Sequence, residues 1–88
     1  MTIAIIKFVR QPDSDTEVQL PEYKTVGASG ADIRANLPMN SRLHGLDLFP
    51  NKPQLIPTGL SVQIPQGLEI QIRPRSGLAL RNAVSIIN

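Results

Sequence analysis

Two alternating runs dominate the pattern of apolar and polar positions. Leu60, Val62 and Ile64 alternate with Ser61 and Gln63, and after a short interval Leu68, Ile70 and Ile72 alternate with Glu69, Gln71 and Arg73. A period of two puts the aliphatic side chains on one side of an extended chain and the polar ones on the other. Pro65-Gln66-Gly67 supplies turn residues between the runs, so a hairpin is predicted, with one face as core and the other wet or at an interface. Residues 1–10 predict a first strand, 11–17 a surface loop rich in acids, and 18–21 the end of another strand. Between 36 and 53, the frequent Pro, Asn, Gly and Ser predict a loop-rich connection with one short strand at Leu46-Asp47-Leu48-Phe49. Only Ser76-Gly77-Leu78-Ala79-Leu80-Arg81 reads as helix, with Ser76 as its cap and Leu78 and Leu80 turned to the core. Eight prolines and six glycines divide the chain into short runs. That punctuation favours an all-β barrel, sandwich or jelly roll.

Composition narrows the picture. Eighty-eight residues make one small domain whose core is modest without help from neighbours. No cysteine is present, which excludes disulfides and thiolate metal sites and suits a reducing, cytoplasmic setting. The N-terminal run is charged too early to span a bilayer and lacks the order of a secretory signal, so no membrane partner is expected. A net charge of +2 raises the question of nucleic acid. However, the basic residues are dispersed, only Arg73, Arg75 and Arg81 cluster, and Phe8, Tyr23 and Phe49 are the only aromatics available to stack on bases. A cluster of that size suits one polyphosphate, and no nucleic-acid partner is expected.

The chemistry concentrates at Pro74-Arg75-Ser76-Gly77-Leu78-Ala79, where a guanidinium, a hydroxyl and an unhindered N–H stand side by side after a strand. A helix start leaves N–H groups unpaired, and the guanidinium fork matches phosphate oxygens. The same string also suits a surface turn with a solvated arginine and a capping serine. A second glycine-rich segment, Gly27-Ala28-Ser29-Gly30-Ala31-Asp32-Ile33-Arg34-Ala35, carries one acid, Asp32, at the start of a short apolar strand. Its carboxylate suits either a hydrated divalent cation beside a phosphate or a turn that accepts nearby N–H groups.

In chain order, with the Asp32 segment first and the Arg75 segment second, they resemble the first and second motifs of the trimeric dUTP diphosphatases, or dUTPases. Between them Tyr23, Thr25-Val26-Gly27-Ala28, Ile56-Pro57-Thr58-Gly59-Leu60 and Ile64-Pro65-Gln66-Gly67 also look like that family, so the resemblance runs from about Pro21 to Asn88. The related dCTP deaminases tend to carry a second serine where Gly77 stands, which favours the dUTPase branch. The resemblance implies a β-clip, a distorted jelly-roll barrel, and hydrolysis of dUTP to dUMP and diphosphate by a homotrimer. It makes Arg75, Ser76 and Gly77 the contacts to the phosphate chain, Asp32 the holder of Mg²⁺ through water, and Asn88 the start of a uracil-reading hairpin. It also implies that the aspartate activating the attacking water, the tyrosine stacking on deoxyribose and the closing C-terminal arm all lie past Asn88. The apolar run 83–88 stops where domain ends are usually polar, so the chain is expected to be the N-terminal part of a longer protein, inactive alone.

Other constellations carry less. His44 is the only histidine and has no sequence tie to a serine, which argues against a catalytic triad. No Gly-Lys-Ser/Thr follows a glycine loop, Gly27-Ala28-Ser29-Gly30 lacks the spacing of a nucleophile elbow, and Glu22, Asp47 and Glu69 form no acid pair. The alternatives to the hydrolase are a nucleotide-binding module and a structural β-clip module, each without catalysis.

Overall fold

The first strand, β1, is Lys7–Arg10, and its partner β2 is Leu60–Gln63. They run antiparallel, with Lys7 opposite Gln63, Phe8 opposite Val62, Val9 opposite Ser61 and Arg10 opposite Leu60. The aromatic side chain opposite a β-branched one is a favourable cross-strand pair, and β-formers at 8, 9 and 62 suit the pleat. Beyond the ladder the Gln11 N–H donates to the Gly59 carbonyl at 2.7 Å, and the Gln11 side-chain amide donates to the Ser61 hydroxyl.

The computed structural model describes residues 3–87, which gather into two units, one of Ile6–Gln63 and the other of 3–5 with 64–87. In the first unit the interior is polar. Asn36 is the one buried residue among those described. Its side chain accepts from the Asp15 N–H at 2.9 Å and donates to the Asp15 carbonyl at 2.9 Å, while its own N–H donates to the Pro57 carbonyl at 2.8 Å. Two arginines extend this stitching. Arg10 donates to the carbonyls of Asp15 and Val18, and Arg42 to those of Leu37 and Asp13 at 2.9 and 2.6 Å. The loop-rich connection contains a single 3-10 turn at Met39–Ser41. In the second unit a turn from Pro65 to Leu68 closes with a 3.2 Å bond and Gly67 at φ +86°, and helix α1 spans Ser76–Asn82.

A β-rich, mostly non-helical chain with one helix matches expectation at that level, although the helix starts at Ser76, inside the Arg-Ser-Gly string and not after it. Several details differ. β2 pairs with β1, 50 or more residues away, and residues 68–73 carry no strand, so the hairpin reduces to its turn. No strand forms at 46–49, at 18–21 or after Asp32, and among the described residues the first strand is confined to Lys7–Arg10. The aliphatic face is not a core. Among the described residues no hydrophobic side chain is buried, Leu78 is 46% exposed and Leu80 87%. A two-stranded sheet offers too little surface to cover the aliphatic side chains on 60–72, and lone hairpins are marginal for the same reason.

Candidate functional site

Pro74 fixes its own φ and pushes Arg73 towards extended backbone, so the chain reaches Arg75 stretched out. Arg75 remains extended (φ −75°, ψ 129°) and is the cap residue; its carbonyl accepts from the Ala79 N–H at 2.9 Å to close the first turn. Ser76 is therefore the first helical residue and not the cap, contrary to the sequence expectation, because the helix starts one residue earlier than a serine cap requires. Its hydroxyl is not used for capping, and the cap makes no side-chain hydrogen bond. At the other end Ala83 adopts a left-handed conformation (φ 54°), and the Ala83 and Val84 N–H groups donate to the Leu78 carbonyl. This is a left-handed stop that glycine usually provides.

Arg75, Ser76, Gly77, Leu78 and Arg81 line one shallow, open surface cleft of about 400 Å³. Across 64–87 three arginines stand against the single acid Glu69, so the local field favours an anion. The three arginines are deployed differently. Arg73 donates twice to the Gln71 side-chain oxygen, at 3.2 and 2.6 Å, beside a second cleft lined by Ile70, Gln71, Ile72 and Arg73. The two polar residues of that second cleft, Gln71 and Arg73, bond to each other. Arg81 instead folds back over the helix, its Nε donating to the Gly77 carbonyl at 3.3 Å. The sequence places Arg81 in the basic cluster without giving it a role. The signal for one is its spacing, since residues four apart share a helix face.

Arg75, Ser76 and Gly77 are thus brought together. Asp32 lies in the other unit, half-buried, after a turn in which the Ala28 N–H donates to the Thr25 carbonyl and Gly27 takes φ +81°. Two residues on, the Arg34 guanidinium buries Nη1 with no hydrogen-bond partner among the described residues. Asn88 lies outside the described residues. Among the described residues no group of three His, Cys, Asp or Glu side chains could cage a metal ion. Within the described residues no helix is long and apolar enough to cross a membrane.

Across 84 residues, 96% of the chain, the sequence is 51% identical to a deoxyuridine 5'-triphosphate nucleotidohydrolase of Dinoroseobacter shibae. The chain belongs to the dUTPase family. A protein of the same name from Roseobacter denitrificans is 49% identical over all 88 residues, and one from Chlamydia felis is 49% identical over 74 residues, 84% of the chain. The chain covers 54%, 55% and 47% of these relatives, so it spans about half the length of the curated dUTPases it matches. The Roseobacter match takes in Asp32, the Arg75-Ser76-Gly77 loop and Asn88, since it includes every residue. No protein-family model and no solved structure matches the chain.

Proposed function

We propose that the protein carrying this sequence hydrolyses dUTP to dUMP and diphosphate, and that the 88 residues supply its phosphate-binding element. One observation carries the reading. The sequence matched at about 50% identity to nucleotidohydrolases named for deoxyuridine triphosphate contains a cleft where Arg75, Ser76 and Gly77 converge. In this reading the Arg75 guanidinium pairs with phosphate oxygens, and the Ser76 hydroxyl and Gly77 N–H face the oxygens that gain charge as the bond to the α phosphorus breaks. Such donors act by stabilising developing charge, and removing one costs on the order of 10²–10³ in rate. Helix α1 has seven residues, so the side chains carry the site and the helix dipole adds little.

Asp32 is the residue that would hold Mg²⁺, through water. Bound there, the ion would supply charge neutralisation for the triphosphate. Asn88 offers both a donor and an acceptor, as reading a uracil edge requires. The cleft lining contains no carboxylate or histidine to act as a general base. In this reading the 88 residues act as a binding element, and the general base belongs to the part of the curated relatives that this chain does not span. Fold and assembly are part of the same proposal: a β-clip completed by further chain, in a cytoplasmic homotrimer. Support for that part comes from the uncovered aliphatic side chains on 62–72, which neither unit buries.

The test is diphosphate release from dUTP by the full-length protein. Arg75→Gln and Ser76→Ala should each lower kcat/KM by about 10² or more while the protein remains folded. Undiminished turnover in both variants refutes the phosphate assignment, and preference for dCTP or UTP refutes the substrate.

A further inference from the structure

Glu69, Gln71 and Arg73 form a relay of side chains two residues apart. The Gln71 side-chain amide donates to Glu69 Oε1 at 3.2 Å, and the Arg73 guanidinium donates to Gln71 Oε1 at 3.2 and 2.6 Å. On a helix, residues two apart do not face each other, whereas on an extended chain they share one face at a spacing of about 7 Å. The relay therefore marks 69–73 as extended, with Leu68, Ile70 and Ile72 exposed on the opposite face. The segment carries no strand ladder among the described residues. Backbone N–H groups alternate between the two edges of an extended chain, so residues 69, 71 and 73 present theirs along one edge. Within the described residues no backbone hydrogen bond engages those three.

The order of charge along that edge is acid, amide, base, which is its own complement when reversed. In an antiparallel pair of two copies centred on Gln71, each Glu69 lies opposite the partner's Arg73, a favourable cross-strand pair made twice. A parallel pair in register would set acid against acid and base against base. The antiparallel pairing also gathers Leu68, Ile70 and Ile72 of both copies onto a single face, where each copy alone leaves them exposed. We propose that residues 68–73 are the edge through which two copies of this 88-residue chain pair antiparallel, about a two-fold axis at Gln71. The pairing is independent of the phosphate reading. A further segment completing a β-clip would compete for the same edge, which makes that segment the alternative occupant.

The experiment is sedimentation equilibrium of the 88-residue chain at low ionic strength, with Glu69→Arg, Arg73→Glu, the double variant and an equimolar mixture of the two single variants. Both positions are exposed, so the substitutions leave the interior intact. The unsubstituted chain should form a dimer that weakens as salt is added. Each single variant should weaken it roughly tenfold or more, because the symmetry turns both opposite-charge pairs into like-charge pairs at once. The double variant exchanges the two charges and should restore the dimer, and the mixture should form a heterodimer tighter than either single variant with itself. An unsubstituted chain that stays monomeric, single variants that dimerise undiminished, or a mixture that forms no heterodimer overturns the proposal. Monomers here, with the amides of 69, 71 and 73 protected from hydrogen exchange in the full-length protein, would assign the edge to the further segment instead.

Discussion

Replacing Gly59 by alanine probes the polar interior of the first unit at its tightest point. Gly59 takes φ +68°, a left-handed conformation that costs an L-residue with a Cβ roughly 1–2 kcal/mol. The new methyl group would also meet Ser14 Cβ at 2.9 Å, Asn36 Cγ at 3.0 Å and Asn36 Cβ at 3.1 Å. Carbon atoms rest at about 3.5–4.0 Å, so these neighbours must retreat by about half an ångström or more. They cannot do so freely. Asn36 is pinned by two side-chain bonds to Asp15 and by its N–H to Pro57, and Gly59 itself accepts from Gln11. Overpacking of this kind adds about 1–3 kcal/mol, which brings the total to about 2–5 kcal/mol.

Gly67 provides the internal control. Its φ is +86°, but nothing lies within 4 Å of the place where a Cβ would be, so Gly67→Ala should cost only the backbone term, about 1–2 kcal/mol. In urea, with a slope of about 1–3 kcal/mol per molar, the Gly59→Ala midpoint should fall clearly below that of Gly67→Ala. Adding Ser14→Gly removes the nearest atom and should recover part of the loss in Gly59→Ala alone. Equal midpoints for the two alanine variants, or no recovery, would show that the close approach at Gly59 contributes nothing.

Asn36→Ala should cost about 2–4 kcal/mol in the same assay, because it strands the N–H and carbonyl of Asp15; a loss under 1 kcal/mol would mean that water replaces the amide. Arg10→Lys should cost about 1 kcal/mol, since one ammonium cannot reproduce a fork that reaches both Asp15 and Val18, and full stability in Arg10→Lys would contradict the bracing role. Ala83→Gly should stabilise α1 by about 1 kcal/mol by relieving the left-handed strain, visible as slower amide exchange at the Leu78-bonded N–H groups; faster exchange would argue against that helix end.

What the sequence revealed was local, and what it hid depended on partners far along the chain. The turn at Pro65 to Leu68 was legible because Gly67 is the residue that tolerates its φ, and α1 because good helix formers follow Pro74. The pairing of β2 was not. Alternation at 60–64 specifies a face but not a neighbour, and the nearest alternating run, 68–73, was the natural guess over Lys7–Arg10. Asn36 gave no signal either, since asparagine in a Pro- and Gly-rich stretch reads as a solvated loop residue. Its burial depends on Asp15 and Pro57, which lie 21 residues away on either side. At the site, the Arg75-Ser76-Gly77 string was legible in one dimension, whereas the reach of Arg81 over Gly77 needed the helix to be formed.

The arginines also show why net charge is a poor guide to what this chain binds. An excess of +2 with a pI near 9.5 is the same whether the guanidinium groups point into solvent or into the protein. Arg10 and Arg42 donate to backbone carbonyls in the first unit, and Arg73 donates to Gln71. Lys24 pairs with Glu22 at 3.0 Å on the surface, which contributes little to stability. Much of the basic composition therefore replaces the bracing that a hydrophobic interior provides elsewhere. Within the second unit Arg75 and Arg81 share a cleft with a serine hydroxyl, and the only acid across 64–87, Glu69, accepts from Gln71. The property that distinguishes this site is thus the local ratio of guanidinium to carboxylate around a hydroxyl, set by a helix that begins at Ser76.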